Sequence, residues 1–215
     1  MNGVNMQLVG WTAIAGGVIG IIGFISLVLL FVIGEPFGTI NDLLAIPSGI
    51  LLLPLVFALY RLNEVSHPSL SLVASIAGIV GFVATAVGSI LLVSGRIYFE
   101  QSLLTGIGGF GLIGLWVLLN SVIGLKTHEL PAGLAWMGIL LGLTPSLALI
   151  LVPRADAIAR TLEGMAGQSA SFQMSPALMV VFGLGALSYA GIPFWFILVG
   201  RLFATHQLAV PAAAA

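Results

Sequence analysis

Cysteine is absent from this 215-residue chain, and charge is scarce. Without a thiol there can be no disulfide, thiol redox centre, iron–sulfur ligation or thiolate zinc site. Only 6% of the residues are charged, whereas about a quarter are charged in a soluble domain, so water is not the main solvent of this protein. Six Lys plus Arg and a net charge of −1 supply no basic surface for nucleic acid or for polybasic lipid recognition. Ionisable side chains are also missing from the middle of every long apolar run. That argues against proton relays, ion-coupled pumping and voltage sensing, which need such groups at mid-membrane. The same absence, of lysine in particular, excludes a retinal Schiff base.

What fills the chain instead is hydrocarbon. Sixty per cent of residues are hydrophobic and the mean hydropathy is +1.21. The thirteen charged residues fall into six clusters: Glu35/Asp42, Arg61/Glu64, Arg96/Glu100, Lys126/Glu129, Arg154 to Glu163, and Arg201. The runs between them are long enough to cross a bilayer, which takes roughly 20 apolar residues. The fold class expected is all-α: a single integral membrane domain of six transmembrane helices over about 11–33, 43–60, 70–93, 103–125, 132–151 and 177–199. The first run lacks the basic n-region of a signal peptide and is read as a retained span. Residues 152–176 form the one long connection, an extracytoplasmic loop in which Asp156 to Met165 has the pattern of an interfacial amphipathic helix. Lys and Arg tie between the two sides. Arg154 and Arg160 count for less in a long loop, so both termini are expected to be cytoplasmic.

A weak repeat organises the spans. Gly20-Ile21-Ile22-Gly23-Phe24 recurs as Gly78-Ile79-Val80-Gly81-Phe82, and Pro54 to Arg61 and His67 rhymes with Pro193 to Arg201 and His206. Three parallel hairpins follow if these segments descend from one unit; chance is as good an explanation in so Gly- and Ile-rich a composition.

Gly106 to Gly111 is a literal G-x-G-x-x-G, but it lies inside an apolar run rather than between a strand and a soluble helix, so a dinucleotide site is rejected. Gly16, Gly20, Gly108, Gly111, Gly114, Gly138 and Gly142 are read as flat helix surfaces for close packing. His67, His128 and His206 fall on one membrane face. A metal or haem role is not favoured, since none is in a span and no H-x-x-x-H spacing accompanies them. Asn120 must find a partner in hydrocarbon; with Trp116, Trp136 and Trp195 it is the candidate contact for a ligand. Most of the deep hydroxyls, those of Ser26, Ser48, Thr85, Ser89, Ser121, Thr144, Ser146 and Ser188, are expected to bond to their own helix or a neighbour. Pro47, Pro54, Pro145 and Pro193 free backbone carbonyls and can shape a cavity.

The stretch Phe110 to Gly142, with Gly111-Leu112, Trp116 and then Leu130-Pro131-Ala132-Gly133-Leu134-Ala135-Trp136-Met137-Gly138, resembles small six-span bacterial membrane proteins of unknown function. The closing Pro193-Phe194-Trp195 run to Arg201 fits the same likeness, which covers about a third of the chain. It implies a bacterial inner-membrane location and lends no activity. The expected function is non-enzymatic: an accessory or structural subunit of a membrane complex or a homo-oligomer, or a binder of lipid, quinone or pigment with no dedicated cofactor. The rival is a small transporter or channel for a neutral or apolar solute, and an intramembrane enzyme built on the histidine face ranks third.

Overall fold

The computed structural model describes residues 5–150 and 176–208. Within them the chain is helical and contains no strand: α1 Met6–Val32, α2 Phe37–Asn63, α3 Pro68–Val93, α4 Phe99–Thr127, α5 Ala132–Ala148 and α6 Pro176–Ala204. Five of them are long and apolar enough to cross a membrane; α5, at 17 residues, is the short one. A helix of 27 residues such as α1 or α2 is about 40 Å long. It therefore outreaches a hydrocarbon layer of about 30 Å, and its end turns lie at the interface.

The helix ends follow local chemistry. Asn5 caps α1, its side chain accepting from the backbone N–H groups of Gln7 and Leu8 at 3.1 and 3.3 Å. Pro68 opens α3 at a position where a missing N–H costs nothing. Gly95 beyond α3 and His206 beyond α6 sit at positive φ in the double-bonded turn that commonly ends a helix. In the second, Gln207 N–H donates to the Leu202 carbonyl at 2.9 Å and His206 N–H to that of Phe203 at 3.2 Å.

Each helix packs against its neighbours in sequence, and α6 closes the ring on α1. Alternation of direction gathers the start of α1, the end of α2, the start of α3, the end of α4, the start of α5 and the end of α6 at one end of the bundle, below called the histidine end. The seams are made by glycine and proline. A Cβ at Gly17 would stand 2.6 Å from the Pro193 carbonyl oxygen, and one at Gly20 3.0 Å from the Pro193 ring. On α4, a Cβ at Gly111 would meet the Pro145 carbonyl at 2.9 Å, and one at Gly114 would run into the Pro145 ring. The two prolines thus fill notches left by the absent side chains. Gly16 approaches Leu52 and the Ser48 carbonyl, and Gly142 approaches the backbone of Gly114 and Leu118. Gly108 is half-buried, while beside it Gly109 lies against Gly81 and Thr85 of α3. The G-x-G-x-x-G is a segment of continuous helix.

Four of the hydroxyls that the sequence places deep bond as expected, while Ser121 Oγ is buried without a partner. Ser26, Thr85 and Ser146 donate to carbonyls four residues back, while Ser48 crosses from α2 to the Gly16 carbonyl of α1 at 3.0 Å. The Gly-x-x-Gly-Phe segments of α1 and α3 are less alike in place than in sequence. The second lies about one turn nearer the start of its helix, and Phe24 and Phe82 join different aromatic groups. The Asp156 to Met165 segment, with Arg154, Arg160 and Glu163, lies outside the described residues.

Candidate functional site

The centre of the ring is occupied by aromatic rings. Trp116 of α4 and Trp195 of α6 are fully buried and meet edge to face at 6.0 Å and 83°. Phe196 lies 5.8 Å from Trp116, and Phe82 of α3 closes the group at 5.6 Å from Trp116 and 6.1 Å from Phe196. Edge-to-face and tilted rings at these separations attract beyond the area they bury. Gly78 makes room for the Trp116 indole, since a Cβ there would stand 2.8 Å from it.

Toward the histidine end this plug becomes polar. Asn120, one turn beyond Trp116, donates from Nδ2 to the Trp116 carbonyl at 2.8 Å and accepts at Oδ1 from Asn63 Nδ2 at 2.9 Å. Asn63 is the last residue of α2, so one side-chain bond spans the bundle interior from α2 to α4. Four buried polar atoms beside this bond have no protein partner: Asn63 Oδ1, Trp116 Nε1, Ser121 Oγ and Trp195 Nε1. Two of them converge on Gly138 of α5, where a Cβ would collide with Ser121 Oγ and stand 2.5 Å from Trp195 Nε1. Asn120, Trp116 and Trp195 are therefore brought together, joined by Asn63, Ser121 and Gly138. None of their side chains is an acid, a base or a strong nucleophile near neutral pH, so the cluster can bind by hydrogen bonds and stacking but has no group to carry general acid–base chemistry.

Trp136 stands apart. It is 55% exposed on the outside of α5, as Trp11 is on α1 at 57%. Both lie little more than a turn from the histidine end, where indoles anchor helices at a membrane interface.

A second polar group occupies the other half of the bundle. Tyr189 of α6 donates to Asn41 Oδ1 at 3.1 Å, and Asn41 Nδ2 donates to Asp42 at 3.3 Å. The Phe110 and Phe24 rings flank the tyrosine at 5.1 and 6.1 Å. The sequence reading starts span two at Leu43 and so leaves Asn41 and Asp42 outside it. In the structure α2 begins at Phe37, and both residues are part of the helix. The Gly34 and Pro36 just before Phe37, both breakers of the preceding helix, were the available signal in the sequence.

At the histidine end the three histidines are capping residues. His67 precedes Pro68 as the N-cap of α3, while His128 and His206 take positive φ of 59° and 57° after α4 and α6. Among the described residues no group of three His, Cys, Asp or Glu is placed to hold a metal ion. Arg61, Lys126 and Arg201 sit in the last turns of α2, α4 and α6, where a cation complements the helix carbonyls. Arg61 also pairs with Glu64 at 3.2 Å. Glu129, in the connection to α5, has its carboxyl pKa raised by burial, against the opposing pull of a Thr127 hydrogen bond and of His67.

No protein-family model matches this chain, and no curated protein or solved structure matches it either.

Proposed function

We propose that this protein is a non-enzymatic six-span bundle that works by packing, as an accessory or structural subunit of a larger assembly in a bacterial inner membrane. The observation that carries this reading is the filled centre. A solute path needs a polar-lined passage between facing helices, whereas Phe82, Trp116, Trp195 and Phe196 occupy that space with mutual ring contacts. Among the described residues the charged side chains sit toward the two ends, and the tightest glycine seams hold the helices to one another. What is left for recognition is the outside, rich in exposed Leu, Ile and Val, which suits lipid or the apolar flank of another membrane subunit. In this reading α5 also crosses: its 17 residues span about 26 Å, and six crossings put both termini on one side, proposed to be the cytoplasm.

Purification from the native membrane in a mild detergent, followed by mass spectrometry and an absorption spectrum, tests the proposal. A stoichiometric partner protein supports it. A colourless protein accompanied only by bulk lipid, together with solute uptake after reconstitution into vesicles, would replace it with the transporter reading.

A further inference from the structure

The seam between α5 and α6 is the thinnest between sequence neighbours among the described residues, and near the histidine end it opens into a groove of about 290 Å³. Its lining is Pro131 and Leu134 of the α5 entry with Leu198, Arg201, Leu202 and Gln207 from the end of α6. Leu134, Leu198 and Leu202 give it an apolar floor. Arg201 and Gln207 give it a polar mouth at the level where the bundle meets water.

The mouth is electropositive. Arg201 is exposed and, among the described residues, pairs with no carboxylate; the one ion pair there belongs to Arg61 and Glu64. The α5 N-terminus adds to it, since no side chain caps that helix and no acid lies in its first turn to offset the positive end of its dipole. The nearest acid in sequence, Glu129, lies two residues before Pro131; its Oε2 is buried without a hydrogen-bond partner, and burial raises its carboxyl pKa, which favours the uncharged form.

We propose that this groove is a binding site for an anionic glycerophospholipid, with an acyl chain along Leu134, Leu198 and Leu202 and the headgroup phosphate on the Arg201 guanidinium and the Gln207 carboxamide. The charge complementarity selects the occupant. Any lipid tail satisfies the leucines, but a guanidinium at the interface favours a net negative headgroup over a zwitterionic one, and its fork suits phosphate oxygens. The inference needs the chain to be membrane-embedded and is independent of the accessory role.

The test is native mass spectrometry of the full chain from detergent micelles carrying equal amounts of dioleoyl phosphatidylglycerol and dioleoyl phosphatidylcholine. The expected result is one retained lipid in preference for phosphatidylglycerol. Arg201→Gln should cut that preference about five-fold, roughly what one basic residue contributes at a membrane surface, and Arg201→Lys should keep most of it. Leu198→Trp, which fills the floor, should abolish retention of either lipid, while Arg61→Gln, on the same end of the bundle, should leave the preference intact. Equal retention of the two lipids, a preference unmoved by Arg201→Gln, or a dimer that excludes lipid from the seam would each overturn the site. None of these outcomes bears on whether a partner protein co-purifies, so this inference and the accessory reading fail separately.

Discussion

Asn63 and Asn120 are joined by a 2.9 Å hydrogen bond across the interior of the ring, although α2 and α4 are not neighbours in it. Both side chains are buried inside the ring, where a carboxamide stripped of its partner is left without a hydrogen bond, so the pair acts as a unit. Asn120→Ala should cost about 1–3 kcal/mol, because Asn63 is then left buried with its amide unpaired. The double variant Asn63→Leu/Asn120→Leu should cost less than the sum of the two single changes. Unfolding in mixed micelles across the four-member cycle measures this, and strict additivity would show that the bond carries no coupling.

The glycine seams predict opposite signs for one substitution. Gly114→Ala drives a methyl into the Pro145 ring, and Gly138→Ala drives one into Ser121; each should destabilise by about 1–3 kcal/mol, the usual cost of overpacking. Gly106→Ala, on an exposed turn of the same helix with open space where a Cβ would go, should be neutral or stabilise by up to about 1 kcal/mol. Thermal unfolding in detergent separates the two classes.

His206 ends α6 at a φ of 57°, a conformation that glycine adopts freely and β-branched residues resist. His206→Gly should therefore keep or raise the melting temperature. His206→Val should lower it, at a cost of about 1–2 kcal/mol. A metal-ligand role would give the opposite pattern, with both variants equally damaging and the wild type stabilised by added zinc.

Glu129 makes the fold sensitive to pH. Burial raises its carboxyl pKa above the ordinary value, so the folded state holds that proton more tightly than the unfolded chain does. Its contribution is fully present below the ordinary carboxylate pKa and is lost as pH rises through the raised one. Glu129→Gln should flatten that decline. A decline unchanged in the variant would assign it to another group.

Hydropathy and charge spacing made the helices legible, because apolar runs of bilayer length admit few other structures. Asn120 was legible too, as a carboxamide inside such a run. Its partner was not: Asn63 sits in a last turn beyond Tyr60, where the apolar run breaks, and only a helix that continues past that point brings it inside. At its other end α2 likewise begins before the apolar run, which places Asn41 and Asp42 within the helix. Which tryptophans face inward was beyond sequence for a different reason. In hydrocarbon the outside of a helix is as apolar as the inside, so Trp116 and Trp136 look equivalent until packing buries one and leaves the other on the surface. Of the glycines, Gly16, Gly20, Gly111, Gly114, Gly138 and Gly142 meet a neighbouring helix, while beside Gly108 it is Gly109 that does.

The filled centre is the claim on which the account rests, and the absence of native cysteine makes it directly measurable. Single cysteines at Val117 and Ser121, both fully buried within the ring, would be challenged in intact membranes with a membrane-impermeant thiol reagent added to both faces, beside a control at the exposed Val65 in the α2–α3 turn. The account predicts rapid labelling at position 65 and none at 117 or 121. Comparable labelling at all three would reveal water inside the ring and contradict it.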